Sequence, residues 1–177
     1  MLRREIQRLQ AHSTNTRERE YLNARMRPQP LIAVSDVEAS SRWYQRLLRC
    51  QSAHGGAEYE RLVSGDRLIL QLHKFDIAHH HGAIGNPNDK PYGNGVLLWF
   101  EIDDFDAAVA RVAELNAPIV LPRHRNPPDG DGGPNHWEIW LRDPDGYTVV
   151  LASPDGTADG NWRPDSLSQP SKIATSS

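Results

Sequence analysis

Cysteine is nearly absent from this 177-residue chain: Cys50 is alone. That excludes an internal disulfide framework and any thiolate cluster around a metal, and it suits a reducing compartment. Long apolar runs are missing too, and nothing approaches the roughly 18 residues of a membrane span. Arginines near the N-terminus are not followed by an apolar stretch, so no secretory signal is expected. A soluble, cytoplasmic protein is the expectation. There is no excess of positive charge, since the net charge is −3 and the pI is near 6.2; this leaves no electrostatic footprint for nucleic acid. No Gly-rich phosphate loop, nucleophile elbow or Ser/Cys/His triad signature occurs. The length suits one domain, or two small modules sharing one core.

What is present is most legible from His136 to Ala152. Two runs rich in aromatic and β-branched residues flank Asp143-Pro-Asp-Gly146. Pro144 presets φ for a turn and Gly146 takes positive φ without steric cost, so a β-hairpin is predicted. In its first arm Trp137, Ile139 and Leu141 point one way, and His136, Glu138 and Trp140 the other.

Taken in order, residues 1–28 read as an N-terminal helical extension. Leu2, Ile6 and Leu9 have helical spacing, Asn15 with Glu18 can cap a second helical turn, and residues 1–27 hold seven arginines against three glutamates. The extension is either a docking arm for a second subunit or a solvated helix. Pro28 and Pro30 mark a boundary. Leu31 to Ser35 is a strand. Asp36 or Ser35 caps a helix from Val37 to about Leu48. Tyr59 to Val63 and Arg67 to His73 pair through the Ser64-Gly-Asp66 turn. Residues 76–94, with His79-His80-His81, form a long His-, Gly- and Pro-rich connecting loop, of the kind that often covers a site. Val96 to Asp103 is a strand, and Asp104 caps a helix from Phe105 to about Leu115. Ile119 to Leu121 is a short strand, and residues 127–134 are a second loop. Residues 155–177 are polar, Pro- and Ser-rich, and expected to be disordered, with Trp162 the one residue suited to dock back.

The first strand and helix recur. Val34-Ser-Asp-Val-Glu-Ala-Ser matches Ile102-Asp-Asp-Phe-Asp-Ala-Ala, and the same offset carries Leu47 onto Leu115. Each copy continues into strands, and neither buries a core alone. An α+β domain with pseudo-twofold symmetry is predicted over residues 29–154, its modules at about 29–75 and 95–154. Alternation assigns one face of each strand to the core: Ile32 and Val34; Leu68, Leu70 and Leu72; Val96, Leu98, Phe100 and Ile102; Trp137, Ile139 and Leu141; Val149 and Leu151. The opposite faces are mixed. If the sheet curves, Gln71, His73, Trp99, Glu101, His136, Glu138 and Trp140 line a cup suited to a small-molecule ligand.

The doubled unit, the Val34-Ser-Asp-Val-Glu-Ala-Ser opening with Trp43-Tyr44, and the closing Arg142-Asp-Pro-Asp-Gly-Tyr-Thr-Val-Val-Leu151 resemble the vicinal oxygen chelate superfamily of glyoxalases, fosfomycin- and bleomycin-resistance proteins and extradiol dioxygenases. The resemblance covers about Leu31 to Pro154. It implies two βαβββ modules forming a curved mixed sheet around a cup, often in a homodimer, and usually a divalent metal at the cup's centre. The positions it implies for the metal are Gln29, Gln71, Leu97 and Val150. Two are hydrocarbon and two are neutral amides, which are poor ligands for a transition metal. The expectation is therefore a metal-independent small-molecule binder of the bleomycin-resistance type, with no cofactor and no assigned catalytic residue. The alternative is an enzyme (a lyase, isomerase or dioxygenase) with a relocated metal at His73, His136 and Glu138, or with Glu101 and Glu138 or a Glu/His pair as acid and base.

Overall fold

The computed structural model describes residues 27–77, 81–129 and 133–159. The expected N-terminal helix, His79, His80 and Trp162 lie outside them.

Two βαβββ modules follow one another. In the first, β1 (Leu31–Val34) leads through α1 (Val37–Leu48) to β2 (Gln51–Ser52), β3 (Tyr59–Ser64) and β4 (Arg67–Lys74). In the second, β5 (Leu97–Glu101) leads through α2 (Phe105–Glu114) to β6 (Ile119–Asn126), β7 (His136–Arg142) and β8 (Thr148–Ala152). Each module forms its own mixed four-stranded sheet, ordered β1-β4-β3-β2 and β5-β8-β7-β6. The expectation of one continuous sheet is thus replaced by two. In both modules the first strand runs parallel to the last and the other pairings are antiparallel.

The local chemistry explains the repeat. Asp36 accepts from the Ala39 amide at 2.9 Å, and Asp104 accepts from the Ala107 amide at 3.2 Å. Each carboxylate caps an orphan donor at the positive end of its helix. Arg49, at φ +53, terminates α1. The helices bury Val37, Tyr44 and Leu47, and Phe105, Ala108 and Val112, against sheet faces that carry Leu62, Leu70, Leu72, Ile139, Leu141, Val149 and Leu151. Nearly all the side chains assigned to the core by alternation are there. Leu68 and Val96 are the exceptions: Leu68 lies past a register shift in the β3–β4 pairing and is only partly buried, and Val96 precedes β5 and is half exposed, because its amide donates to the Gly93 carbonyl in a turn.

The β7–β8 turn joins the modules. Asp143 accepts from the amides of Asp145 and Tyr147, and Gly146 sits at φ +94. The closed turn then docks on the first module. Asp145 accepts from the Ser35 amide at 2.8 Å and the Ser40 hydroxyl at 3.1 Å, and the Tyr147 hydroxyl donates to the Ala33 carbonyl at 2.9 Å. Arg111 of α2 donates to the Leu47 carbonyl. The described residues continue past Pro154. Residues 157–159 make a 3-10 turn, the amides of Gly156 and Ala158 donate to the carbonyls of Pro134 and Asn135, and Asp159 pairs with Arg125. Residues 155–159 are therefore packed, where the sequence suggested the start of a disordered tail.

Candidate functional site

Strand register divides the predicted cup residues between the two sheets. On the first, Leu31 and Arg61 flank Gln71, and Ala33 and Tyr59 flank His73. Period-2 alternation puts all of these on the face away from α1. His73 is buried, and its Nδ1 lies 2.7 Å from the Lys74 carbonyl oxygen. A series of rings runs along this face: His54 to Tyr59 at 5.0 Å between centroids, Tyr59 to His73 at 6.4 Å, and His73 to His81 at 5.1 Å, each edge-to-face. These rings, with Leu31, Ile84 and residues 55–58, line a cavity of about 820 Å³. Its walls are mainly apolar, and among the described residues no lysine or arginine lines it. The volume falls within the range of small-molecule sites.

Gln71 does not reach for a metal. Its Oε1 accepts from the Tyr59 hydroxyl at 2.5 Å, and its Nε2 donates to the Gln29 carbonyl at 3.1 Å.

The second sheet holds a different cluster. Glu138 is fully buried on β7. Its Oε1 accepts from Asn126 Nδ2 and lies 2.7 Å from His136 Nε2; its Oε2 accepts from the Trp140 indole at 2.8 Å and has His124 Nε2 at 3.5 Å. His136 is held on its other side by Asp155, 3.2 Å from Nδ1. Burial pushes the Glu138 carboxyl up, but the hydrogen bonds from Asn126, Trp140 and His136 outweigh it and hold it below the ordinary glutamate range. Both oxygens are thus engaged, and the Trp140 N–H is spent on the protein itself. Trp99 is 44% exposed with its ring 6.0 Å from that of His136, and Glu101 is exposed at the end of β5.

The structure therefore joins His136 to Glu138 and sets His73 among Tyr59 and His81. Among the described residues no group of three His, Cys, Asp or Glu side chains is placed to hold a metal ion. The positions implied by resemblance do not fit one either: Val150 is buried hydrocarbon, Leu97 is exposed hydrocarbon, and Gln71 is occupied. No hydrogen bond or ion pair joins Glu101 to Glu138 among the described residues.

Several contributors were not legible in the sequence. Tyr59, His54 and Ile84 were missed in the cavity; the β3–β4 register, which puts Tyr59 opposite His73, would have found Tyr59. His124 and Asn126 were missed because β6 runs on to Asn126, beyond the expected end at Leu121 and past Pro122, with two register shifts that break its alternation.

Residues 27–151 match the family model described as the Glyoxalase/Bleomycin resistance protein/Dioxygenase superfamily. The chain belongs to this superfamily. Solved structures agree at the level of the fold. Lactoylglutathione lyase from Agrobacterium tumefaciens is 17% identical with a TM-score of 0.53, covering 73% of this chain and 93% of its own. The fosfomycin resistance protein FosX from Mesorhizobium loti is 17% identical at 0.52, covering 77% and 97%. The bleomycin resistance determinant encoded on transposon Tn5 is 16% identical at 0.51, covering 73% and 98%. No curated protein matches the chain. As a member of the glyoxalase/bleomycin resistance/dioxygenase superfamily, the protein retains the doubled module and lacks side chains able to ligate at Leu97 and Val150.

Proposed function

We propose that the protein binds a small, largely apolar and partly aromatic molecule in the cavity on the first sheet, and does so without a metal. The observation that carries this reading is the cavity itself: a ring-lined, mainly apolar space of about 820 Å³ on the face opposite the core, with Tyr59 oriented by Gln71. Edge-to-face rings favour a planar guest, and each such contact adds on the order of 1 kcal/mol beyond area burial. The bleomycin-resistance-type binding expected from the sequence accords with it, as sequestration or carriage of a ligand. Leu31 on β1 and Leu97 and Trp99 on β5 are exposed apolar groups on strands that each pair on one side only. This favours a homodimer in which those edges are covered.

The test uses full-length chain treated with a chelator and titrated with N-phenyl-1-naphthylamine, a neutral aromatic fluorophore. Saturable one-to-one binding is expected, weakened at least tenfold by Leu31→Trp, which fills the cavity from its rim. Absence of saturable binding, or equal binding by the variant, would overturn the proposal.

A further inference from the structure

The first sheet carries a second cavity, of a different chemical character. It measures about 490 Å³ and is lined by Arg27, Pro28, Gln29, Arg61, Asp66, Arg67 and Leu68. We infer that this cavity is a subsite for an anionic group, such as a phosphate or carboxylate, carried by a small molecule.

The argument begins with charge. The chain as a whole is acidic, at −3, yet among the described residues three arginines line this one space against a single carboxylate residue, Asp66. Among the described residues none of the three arginines is in an ion pair or donates a side-chain hydrogen bond to the protein. Four arginines elsewhere show what a structural role looks like: Arg111 is bonded to the Leu47 carbonyl, Arg123 to Asp106, Arg125 to Asp159 and Asn135, and Arg142 to Gly146 and Thr148. Like charges gathered without partners repel, and an anion between them turns that cost into charge-assisted hydrogen bonds. Arginine's planar fork suits phosphate and carboxylate oxygens, which it can grip in pairs.

The position is also built. The β3–β4 register sets Arg61 directly beside Gln71, and past the register shift between Leu62 and Val63 it pairs Arg67 with Ser64 at the hairpin end of the same two strands. The third arginine comes from the segment before β1. That segment is tied down by two bonds from Gln71: its backbone amide donates to the Pro30 carbonyl at 2.9 Å and its side chain to the Gln29 carbonyl at 3.1 Å. Gln71 therefore stands between the two cavities. One end of its amide fixes the wall of the arginine-lined space, and the other orients Tyr59, a wall of the ring-lined one. A concave, partly enclosed space excludes the broad contact of a polyanion surface and fits a small ligand.

The test is calorimetric titration of the full-length chain at low ionic strength with inorganic phosphate and with phenyl phosphate. Saturable binding at one site is expected for at least one of these probes, weakened tenfold or more in the double variant Arg61→Gln/Arg67→Gln. Both side chains are exposed, so the variant is expected to unfold at the same denaturant concentration as the parent. Tighter binding of phenyl phosphate than of phosphate identifies an organic ligand's anionic group as the occupant. An adventitious free anion as the only occupant, shown by equal or weaker phenyl phosphate binding, overturns the small-molecule assignment. No saturable binding of either probe, or binding unchanged in the double variant, overturns the site altogether. Binding of the neutral fluorophore reads the other cavity, so failure here with that binding intact leaves the proposed function standing.

Discussion

The Tyr44 hydroxyl donates to Asp143 Oδ2 at 2.8 Å, and both residues are buried. Tyr44 belongs to the helix of the first module and Asp143 to the β7–β8 turn of the second. The bond therefore crosses the pseudo-twofold relationship. Burial raises the Asp143 carboxyl above the ordinary aspartate range, against the hydrogen bonds from Tyr44 and the Tyr147 and Asp145 amides. Burial and the nearby Asp143 charge also push the Tyr44 phenol up. The pair is a buried side-chain joint between the modules, beside the Asp145 and Tyr147 contacts to the first module.

Removing its donor leaves the carboxylate short of one partner in a place water does not reach. Tyr44→Phe is expected to destabilise the protein by about 1–3 kcal/mol, the usual penalty for stranding a buried acceptor. Urea unfolding checks this. An unchanged midpoint would mean that the carboxylate relaxes toward solvent and that this bond adds nothing to the junction beyond its other contacts.

Glu60 makes the acid limb of stability predictable. It is buried on β3 and accepts from the Ser41 hydroxyl and from the amides of His54, Gly55 and Arg61. Burial pushes its carboxyl up, but these donors overcome burial and bring it down to about 2 from an ordinary 4.5. A carboxylate lowered on folding stabilises the native state above its unfolded value, and that stability drains away as pH falls through the folded one. The contribution is on the order of 3 kcal/mol, lost between about pH 4.5 and pH 2. Unfolding free energy measured across this window is expected to fall less steeply in Glu60→Gln than in the parent. Parallel slopes would show that Glu60 is not the group responsible.

Gly93 has no room for a side chain. It lies at φ +63, and a Cβ there would sit 2.6 Å from Tyr147 Cδ1. Gly93→Ala is expected to cost about 2 kcal/mol or more, combining left-handed strain with displacement of a ring that anchors the turn to β1. A thermal melt reads the loss, and a variant as stable as the parent would show that the 93–96 turn repacks freely.

Legibility in the sequence followed how regular the backbone is. The caps at Asp36 and Asp104, the apolar faces from Leu70 to Leu151 and the Asp143–Gly146 turn all obey local periodicity, so a reader of residues finds them. Face is local, but sheet membership is not. Alternation sends His73, His136 and Glu138 to the side away from the helices, yet says nothing about which strands share a sheet, and His73 joins Tyr59 and His81 instead. The same gap hid the arginine-lined cavity. Arg27 and Arg67 are brought together only because β1 pairs parallel to β4, a long-range event with no local signature. β6 escaped for another reason: Pro122 and two register shifts hide the alternation that would have marked His124 and Asn126 as inward partners of β7.

Those two residues set up a test of what the Glu138 cluster is for. Glu138 takes N–H donors at both oxygens, from Asn126 and His136 on one and from Trp140 on the other. A glutamine of the same shape presents an NH₂ group to donors on one side and a neutral partner to His136. Leaving buried polar groups mismatched in this way costs about 3 kcal/mol. Because Asn126 and His124 lie on the edge strand, the loss is expected first as faster amide exchange along β6, ahead of global unfolding. The acid dependence has a sign as well: Glu138 is held below the ordinary range, so its share of stability is present near neutrality and fades as pH falls, and Glu138→Gln removes that share. Hydrogen exchange with urea unfolding at neutral pH reads both effects, while fluorophore binding is expected to persist, since no residue of β6 or β7 lines the ring-lined cavity. Loss of that binding in a variant that remains folded would instead place Glu138 in the ligand site and move the functional centre to the second sheet.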